Sequence, residues 1–254
     1  MKYARFEVDG KTCNGVVVSE EVTVINGSFW DDFETTGQKY SISEINFLPP
    51  VLPTKIVCVG QNYRGHIKEL GVPVPKEPVI FFKPPSCLIG HRHPIIYPAT
   101  ARRVDYEGEL AIVIGHTMRN VKESDALNYV LGYSCFNDVT ERNLVQNSPF
   151  LLSLSKGMDT FGPCGPYIVT DLDPNRLMLK TLLNGELKQQ DSTENCVFSI
   201  QQVLSYISGY ITLLPGDIVT SGTPQGIAPM QPGDTVEVEI EGIGCLRNSV
   251  QAQD

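Results

Sequence analysis

What this chain lacks narrows it first. No apolar run approaches the roughly 18 residues that a membrane span needs, and the opening MKYARFEVDG has no apolar signal core. Basic residues are fewer than acidic ones, 20 against 29, and they nowhere cluster. A nucleic-acid or anionic-membrane partner is thereby disfavoured, because phosphate surfaces reward grouped Lys and Arg. The seven cysteines (Cys13, Cys58, Cys87, Cys135, Cys164, Cys196, Cys245) are odd in number, scattered and never in C-x-x-C spacing. Neither a disulfide framework nor a zinc ribbon is indicated. The expectation is a soluble, unprocessed protein of the reducing cytoplasm whose partner is a small molecule or another protein.

What is present suffices for a sizeable core: 254 residues, 41% of them hydrophobic. Residues 1 to about 48 alternate apolar and polar around turn signals, which predicts short antiparallel strands. Pro49, Pro50 and Pro53 then suit an extended linker, so a small N-terminal β-rich domain over 1–52 and a catalytic domain over 53–254 are expected. Beyond the linker, KIVCVG, PVIFFK, GELAIVIG, YSCFNDVT, GPYIVT, DIVTSG and TVEVEIEG read as strands, and Asn184-Gly185 reads as a hairpin turn. Helical spacing is confined to HIKEL (66–70, closed by Gly71), ESDALNYVLG (123–132) and FSIQQVLSYISGYI (198–211). The fold class is α+β, β-rich.

Within RRVDYEGELAIVIG, Asp105, Glu107 and Glu109 alternate along what reads as one strand, placing three carboxylates on one face about 7 Å apart. A solvated edge face is the ordinary explanation. It fits poorly here, because an apolar run follows directly and Gly108 leaves room for close approach. An all-oxygen carboxylate set suits a hard cation such as Mg²⁺, Mn²⁺ or Ca²⁺. Asp138, ending the apolar run YSCFN, is the candidate third ligand, with a helix cap or turn as its competing role.

His66 and Glu69 are three apart on a short helix, so the glutamate can fix the imidazole tautomer and raise its basicity for work on water. Lys156 in SLSKGMD reads by itself as a solvated lysine. The loop LLPGDIVTSGTPQGI offers hydroxyls and backbone N–H groups to an anion, although turn chemistry also explains it. His91 and His93 have no third ligand nearby in sequence and are read as a loop.

These pieces occur in an order that resembles the fumarylacetoacetate hydrolase family over roughly residues 53 to 250. The matching stretches are GQNYRGHIKELG, EPVIFFKPPS, DYEGELAIVIG, GYSCFNDVTERN, SKGMDTFGPCGP, NGELKQ and LLPGDIVTSGTPQGI. The resemblance implies a mixed β-sandwich roll, usually homodimeric, with Mg²⁺ or Mn²⁺ held by Glu107, Glu109 and Asp138, and with Asp105 only a neighbour. It implies catalytic roles for His66 and Glu69 on a lid and for Lys156, with Lys156, Arg142 and Thr223 also as carboxylate and oxyanion contacts. The implied substrate is a small 2-oxo or 2-hydroxydienoic acid, and the implied reaction passes through an enolate. Isomerisation or decarboxylation of 2-hydroxyhepta-2,4-diene-1,7-dioate, as in aromatic catabolism, is the leading reading. Acylpyruvate cleavage, oxaloacetate decarboxylation or tautomerisation, and a non-catalytic metal- or small-molecule-binding module are the alternatives.

Overall fold

The strand Gly108–Ile114 is buried along its whole length, and the fold is built around it. It pairs antiparallel with Val130–Asn137 on one side and Ile218–Thr220 on the other. Leu110, Ile112 and Ile114 pack with Leu179, Val238 and Leu246 and with helix Ile200–Tyr210. Ala111 and Val113 face the opposite core with Ile56, Cys58, Phe136 and Ile218. Burial on both faces is why this stretch reads as a continuous apolar run rather than an alternating one, and each large aliphatic side chain so buried stabilises by about 1.5–3 kcal/mol.

The computed structural model describes residues 1–253. Its large mixed sheet runs, in spatial order, Glu34–Ser41, Glu21–Asn26, Lys11–Val18, Lys2–Val8, Gly162–Val169, Val130–Asn137, Gly108–Ile114, Ile218–Thr220, Ile56–Gly60, Val79–Lys83. A second sheet orders Glu186–Ser192, Met178–Leu183, Thr235–Ile240, Gly244–Ala252 and Ile95–Tyr97, and a three-stranded one joins Thr140–Glu141, Val104–Tyr106 and Ala228–Met230. This is the β-rich sandwich roll expected from the sequence. The N-terminal strands form the antiparallel meander that the alternation predicts, and its first strand pairs with Gly162–Val169 through Lys2↔Val169 and Tyr3↔Ile168. Residues 48–55, with the three prolines, carry no regular structure.

Local chemistry explains the helices and turns. Helix Ile200–Tyr210 opens on a capping box between Ser199 and Gln202 and buries Ile200, Val203, Leu204 and Ile207, the predicted stripe. Helix Arg64–Leu70 ends at Gly71 with φ 67°, the left-handed stop glycine adopts without strain. Asn184 and Gly185, with φ 54° and 79°, turn between paired Leu183 and Glu186. One expectation is corrected: 123–132 is a 3₁₀ helix, Glu123–Tyr129, that passes directly into the strand Val130–Asn137. Only Ala126 of that helix is buried, so no apolar stripe favours a full α-helix over extending the neighbouring sheet.

Candidate active site

Gly108 decides where the three alternating acids go. A Cβ there would lie 2.1 Å from Thr181 Oγ1, a contact no other residue could make without displacing the core. The chain crosses at this point from the three-stranded sheet into the large one, so Asp105 and Glu109 belong to different sheets. The expectation of one strand carrying all three acids on one face is therefore corrected. Asp105, fully buried, instead accepts from Arg103 Nε at 2.8 Å and Arg142 Nε at 2.9 Å.

The other two acids converge with Asp138. Carboxylate oxygens of Glu107, Glu109 and Asp138 lie within 4.8 Å of one another, and all three residues are buried. Asp138 follows directly on Val130–Asn137, where its N–H donates to Glu107 O at 2.8 Å, tying two of the acids together through backbone. Two buried ammonium groups flank it: Lys83 Nζ at 2.7 Å from Oδ1 and Lys156 Nζ at 2.6 Å from Oδ2. Lys156 Nζ also donates to Glu107 Oε2 at 2.9 Å and Thr140 Oγ1 at 2.8 Å, so the solvated lysine its local sequence suggests is not what forms. Arg142 Nη2 donates to Glu107 Oε1.

The electrostatics separate the glutamates. Burial acts to raise the Glu107 carboxyl, but Lys156 and Arg142 outweigh it and hold it down at about 2. Glu109 is pushed well above the ordinary carboxylate range by burial and then by the charges of Asp138 and Glu107. The Gly222 N–H donates to its Oε2 at 3.1 Å. A hard divalent cation fits this donor set: it would meet three clustered oxygens and relieve the repulsion that disfavours the ionised Glu109.

Opposite the acids, His66 Nδ1 lies 2.8 Å from Glu69 Oε2, and Glu69 Oε1 accepts from Gly226 N at 3.0 Å. With Nδ1 engaged, Nε2 is the ring nitrogen left for proton transfer. A cavity of about 270 Å³ is lined by His66, by Glu107, Glu109 and Asp138, by Arg142, Lys156 and Thr223, and by an apolar wall including Val79, Val145 and Leu152. The structure thus gathers about one cavity seven of the residues singled out from the sequence, with Glu69 held behind His66. His91 and His93 lie in a separate loop, as expected.

Thr223 Oγ1 is committed within the protein, donating to Gly108 O at 2.9 Å and accepting from Gln189 Nε2 at 2.9 Å. Lys83 and Gln189 escaped the sequence reading. A lysine closing the apolar run PVIFFK was the available signal for Lys83, because a strand that ends a core seldom buries an ammonium without a carboxylate partner. Gln189 had none, since only the strand register tells it from Gln190.

A buried acid trio facing a histidine–glutamate pair across one cavity on a β-rich roll defines an enzyme with a carboxylate cluster suited to a divalent cation. The chain belongs to the fumarylacetoacetate hydrolase family: the model of the Fumarylacetoacetate (FAA) hydrolase C-terminal domain matches residues 55–251, and an Rv2993c-like N-terminal model matches residues 1–50. An uncharacterized protein of Archaeoglobus fulgidus is 47% identical over 229 residues, covering 89% of this chain and 91% of its own. The Bos taurus mitochondrial oxaloacetate tautomerase FAHD2B is 41% identical over 221 residues, covering 82% and 70% respectively. Among solved structures, 5-carboxymethyl-2-hydroxymuconate delta-isomerase from Mycobacterium smegmatis superposes with a TM-score of 0.93 at 36% identity over 100% of both chains. Maleylpyruvate hydrolase from Sphingobium sp. SYK-6, in complex with manganese(II) and pyruvate, gives 0.85 at 28% identity, also over 100% of both.

Proposed function

We propose that this chain is a divalent-cation-dependent enzyme acting on a small 2-oxo or 2-hydroxydienoic acid through a stabilised enolate, with isomerisation or decarboxylation of 2-hydroxyhepta-2,4-diene-1,7-dioate as its leading reaction. The observation that carries this reading is that the acid trio and His66 face the same 270 Å³ cavity. Glu107, Glu109 and Asp138 would hold Mg²⁺ or Mn²⁺. When bound, the cation supplies positive charge to the carboxylate and 2-oxo oxygens of a substrate. Lys156 and Arg142 add fixed positive charge on the same wall, where a substrate carboxylate would meet preorganised donors. His66 moves the proton at Nε2, with Glu69 holding the ring through Nδ1. The similarity to the M. smegmatis isomerase, and to a hydrolase that takes manganese and pyruvate, supports this assignment.

A second reading is favoured by the apolar wall of Val79, Val145, Pro149 and Leu152, which suits a substrate whose far end is uncharged. Cleavage of an acylpyruvate would use the same groups, with His66 activating water instead of shuttling a proton. Homodimerisation and a cytoplasmic location belong to the same proposal. Phe150, 94% exposed and next in sequence to the cavity-lining Pro149, supports a covering partner; among the described residues no helix is long and apolar enough to cross a membrane.

The test is a steady-state assay with Mg²⁺ or Mn²⁺ on oxaloacetate, acetylpyruvate, fumarylpyruvate and 2-hydroxyhepta-2,4-diene-1,7-dioate, following ultraviolet change, carbon dioxide and pyruvate. Spectral change or carbon dioxide from the dioate supports the leading reaction. Pyruvate from an acylpyruvate transfers the assignment to C–C hydrolysis, and turnover of none of the four would reject the proposal.

A further inference from the structure

We infer that Gln189, a residue outside the cavity, is the positioning residue that holds the acid trio and the His66–Glu69 pair in register with each other. Gln189 is 1% exposed and reaches in from the second sheet. Its Oε1 accepts from Gly108 N at 3.0 Å, at the strand start between Glu107 and Glu109. Its Nε2 donates to Thr223 Oγ1 at 2.9 Å and to Pro224 O at 2.8 Å. Thr223 Oγ1 in turn donates to Gly108 O at 2.9 Å, which closes a ring of hydrogen bonds. The amide orientation is fixed by this chemistry, because the Gly108 N–H can be met only by oxygen and the Pro224 carbonyl only by nitrogen.

The loop gripped in this way reaches both halves of the site. Gly222 N donates to Glu109 Oε2 at 3.1 Å, and Gly226 N donates to Glu69 Oε1 at 3.0 Å. Between them Gln225 packs so tightly on the short helix that a Cβ at Gly65 would fall 2.0 Å from its Oε1. Residues 222 to 226 therefore run from Glu109 of the trio to the glutamate of the pair, and Gln189 clamps the middle to the Gly108 backbone between Glu107 and Glu109. Free of the clamp, the loop could shift the Glu69 contact independently of Glu109. Misplacement of a proton-transfer group by about 1 Å costs on the order of a hundredfold in rate.

This inference rests on the proposed use of His66 as the proton-transfer group, and the experiment separates the two. Gln189→Glu keeps the shape and the acceptor for Gly108 N–H but loses the Nε2 donor, so its oxygens face the Thr223 and Pro224 oxygens; Gln189→Leu removes both functions. Each is compared with wild type by the NMR resonances of the His66 imidazole, by Mg²⁺ calorimetry and by kcat and KM on whichever substrate is turned over. The expected result for a folded variant is a shifted His66 resonance, Mg²⁺ affinity lower by about tenfold, and kcat lower by about 10- to 100-fold with KM little changed. Should Gln189→Leu fail to fold, Gln189→Glu and Thr223→Val, which opens the ring from its other side, carry the same test. Unmoved His66 resonances in a folded variant overturn the inference whatever the rate does. Because those resonances and the calorimetry need no substrate, an inactive wild type would sink the proposed function and leave this test intact.

Discussion

Lys83 Nζ and Asp138 Oδ1 lie 2.7 Å apart with both residues buried to within 1% exposure. A lysine so placed is stable only because the carboxylate meets it, and the carboxylate is thereby fixed for its work in the trio. Lys83→Met leaves Asp138 with one ammonium instead of two and should lower unfolding free energy by about 1–3 kcal/mol, less than the cost of a wholly stranded buried charge, because Lys156 remains 2.6 Å from Oδ2. Urea denaturation checks this; a loss below 1 kcal/mol would show that Lys156 alone compensates Asp138.

Glu107→Gln and Asp138→Asn remove charge from the cation seat and should lose Mg²⁺ binding and turnover together. Glu109→Gln should lose Mg²⁺ binding too, yet it should leave the cation-free protein no less stable than wild type, because burial and two neighbouring acids already disfavour the ionised Glu109. Calorimetry and thermal melts with and without Mg²⁺ separate these effects, and retained Mg²⁺ affinity in all three variants would move the cation elsewhere.

His66→Ala should lower kcat by about 10²–10⁴-fold, the range ascribed to a positioned acid or base, while Mg²⁺ affinity stays within about threefold, since the ring is not one of the three clustered oxygen donors. Unchanged turnover would remove His66 from the chemistry.

Gly108→Ala should be destabilising by about 1–3 kcal/mol through overpacking, because its methyl would meet Thr181 Oγ1 at 2.1 Å in a closed core. The same variant should weaken Mg²⁺ binding by displacing Glu107 from Glu109. A soluble variant with wild-type melting temperature and affinity would contradict the role given to this crossing.

His91 supplies the pH dependence. Burial first, then Arg92 and Arg247, depress its imidazole to about 4, and its Nδ1 accepts the Arg247 N–H at 3.0 Å, which requires the neutral ring. With the folded value below the unfolded one of 6.5, the contribution to stability is complete above pH 6.5 and is lost progressively as pH falls towards 4. Allowing for solvent at its part-exposed edge, the loss should be about 1–2 kcal/mol. In His91→Asn the slope of stability between pH 6.5 and 4 should flatten by that amount; an unchanged slope would assign the acid sensitivity to other groups.

The β-rich class, the hairpin at Asn184-Gly185, the helices ending at Gly71 and covering Ile200 to Ile207, and the identity of the acids were legible in the order of residues, because turn chemistry, capping and apolar periodicity act within a few residues. The same order showed that Glu107, Glu109 and Asp138 were poorly explained as surface charges. That Asp105 leaves the group followed from packing between distant parts of the fold, since the crossing at Gly108 depends on Thr181 of another sheet. The same packing buried Lys83 and Lys156 against Asp138 and turned Gln189 rather than Gln190 inward. Each of these outcomes is a pairing across more than fifteen residues of chain, where the energy lies in desolvation and long-range register and leaves no local pattern to read.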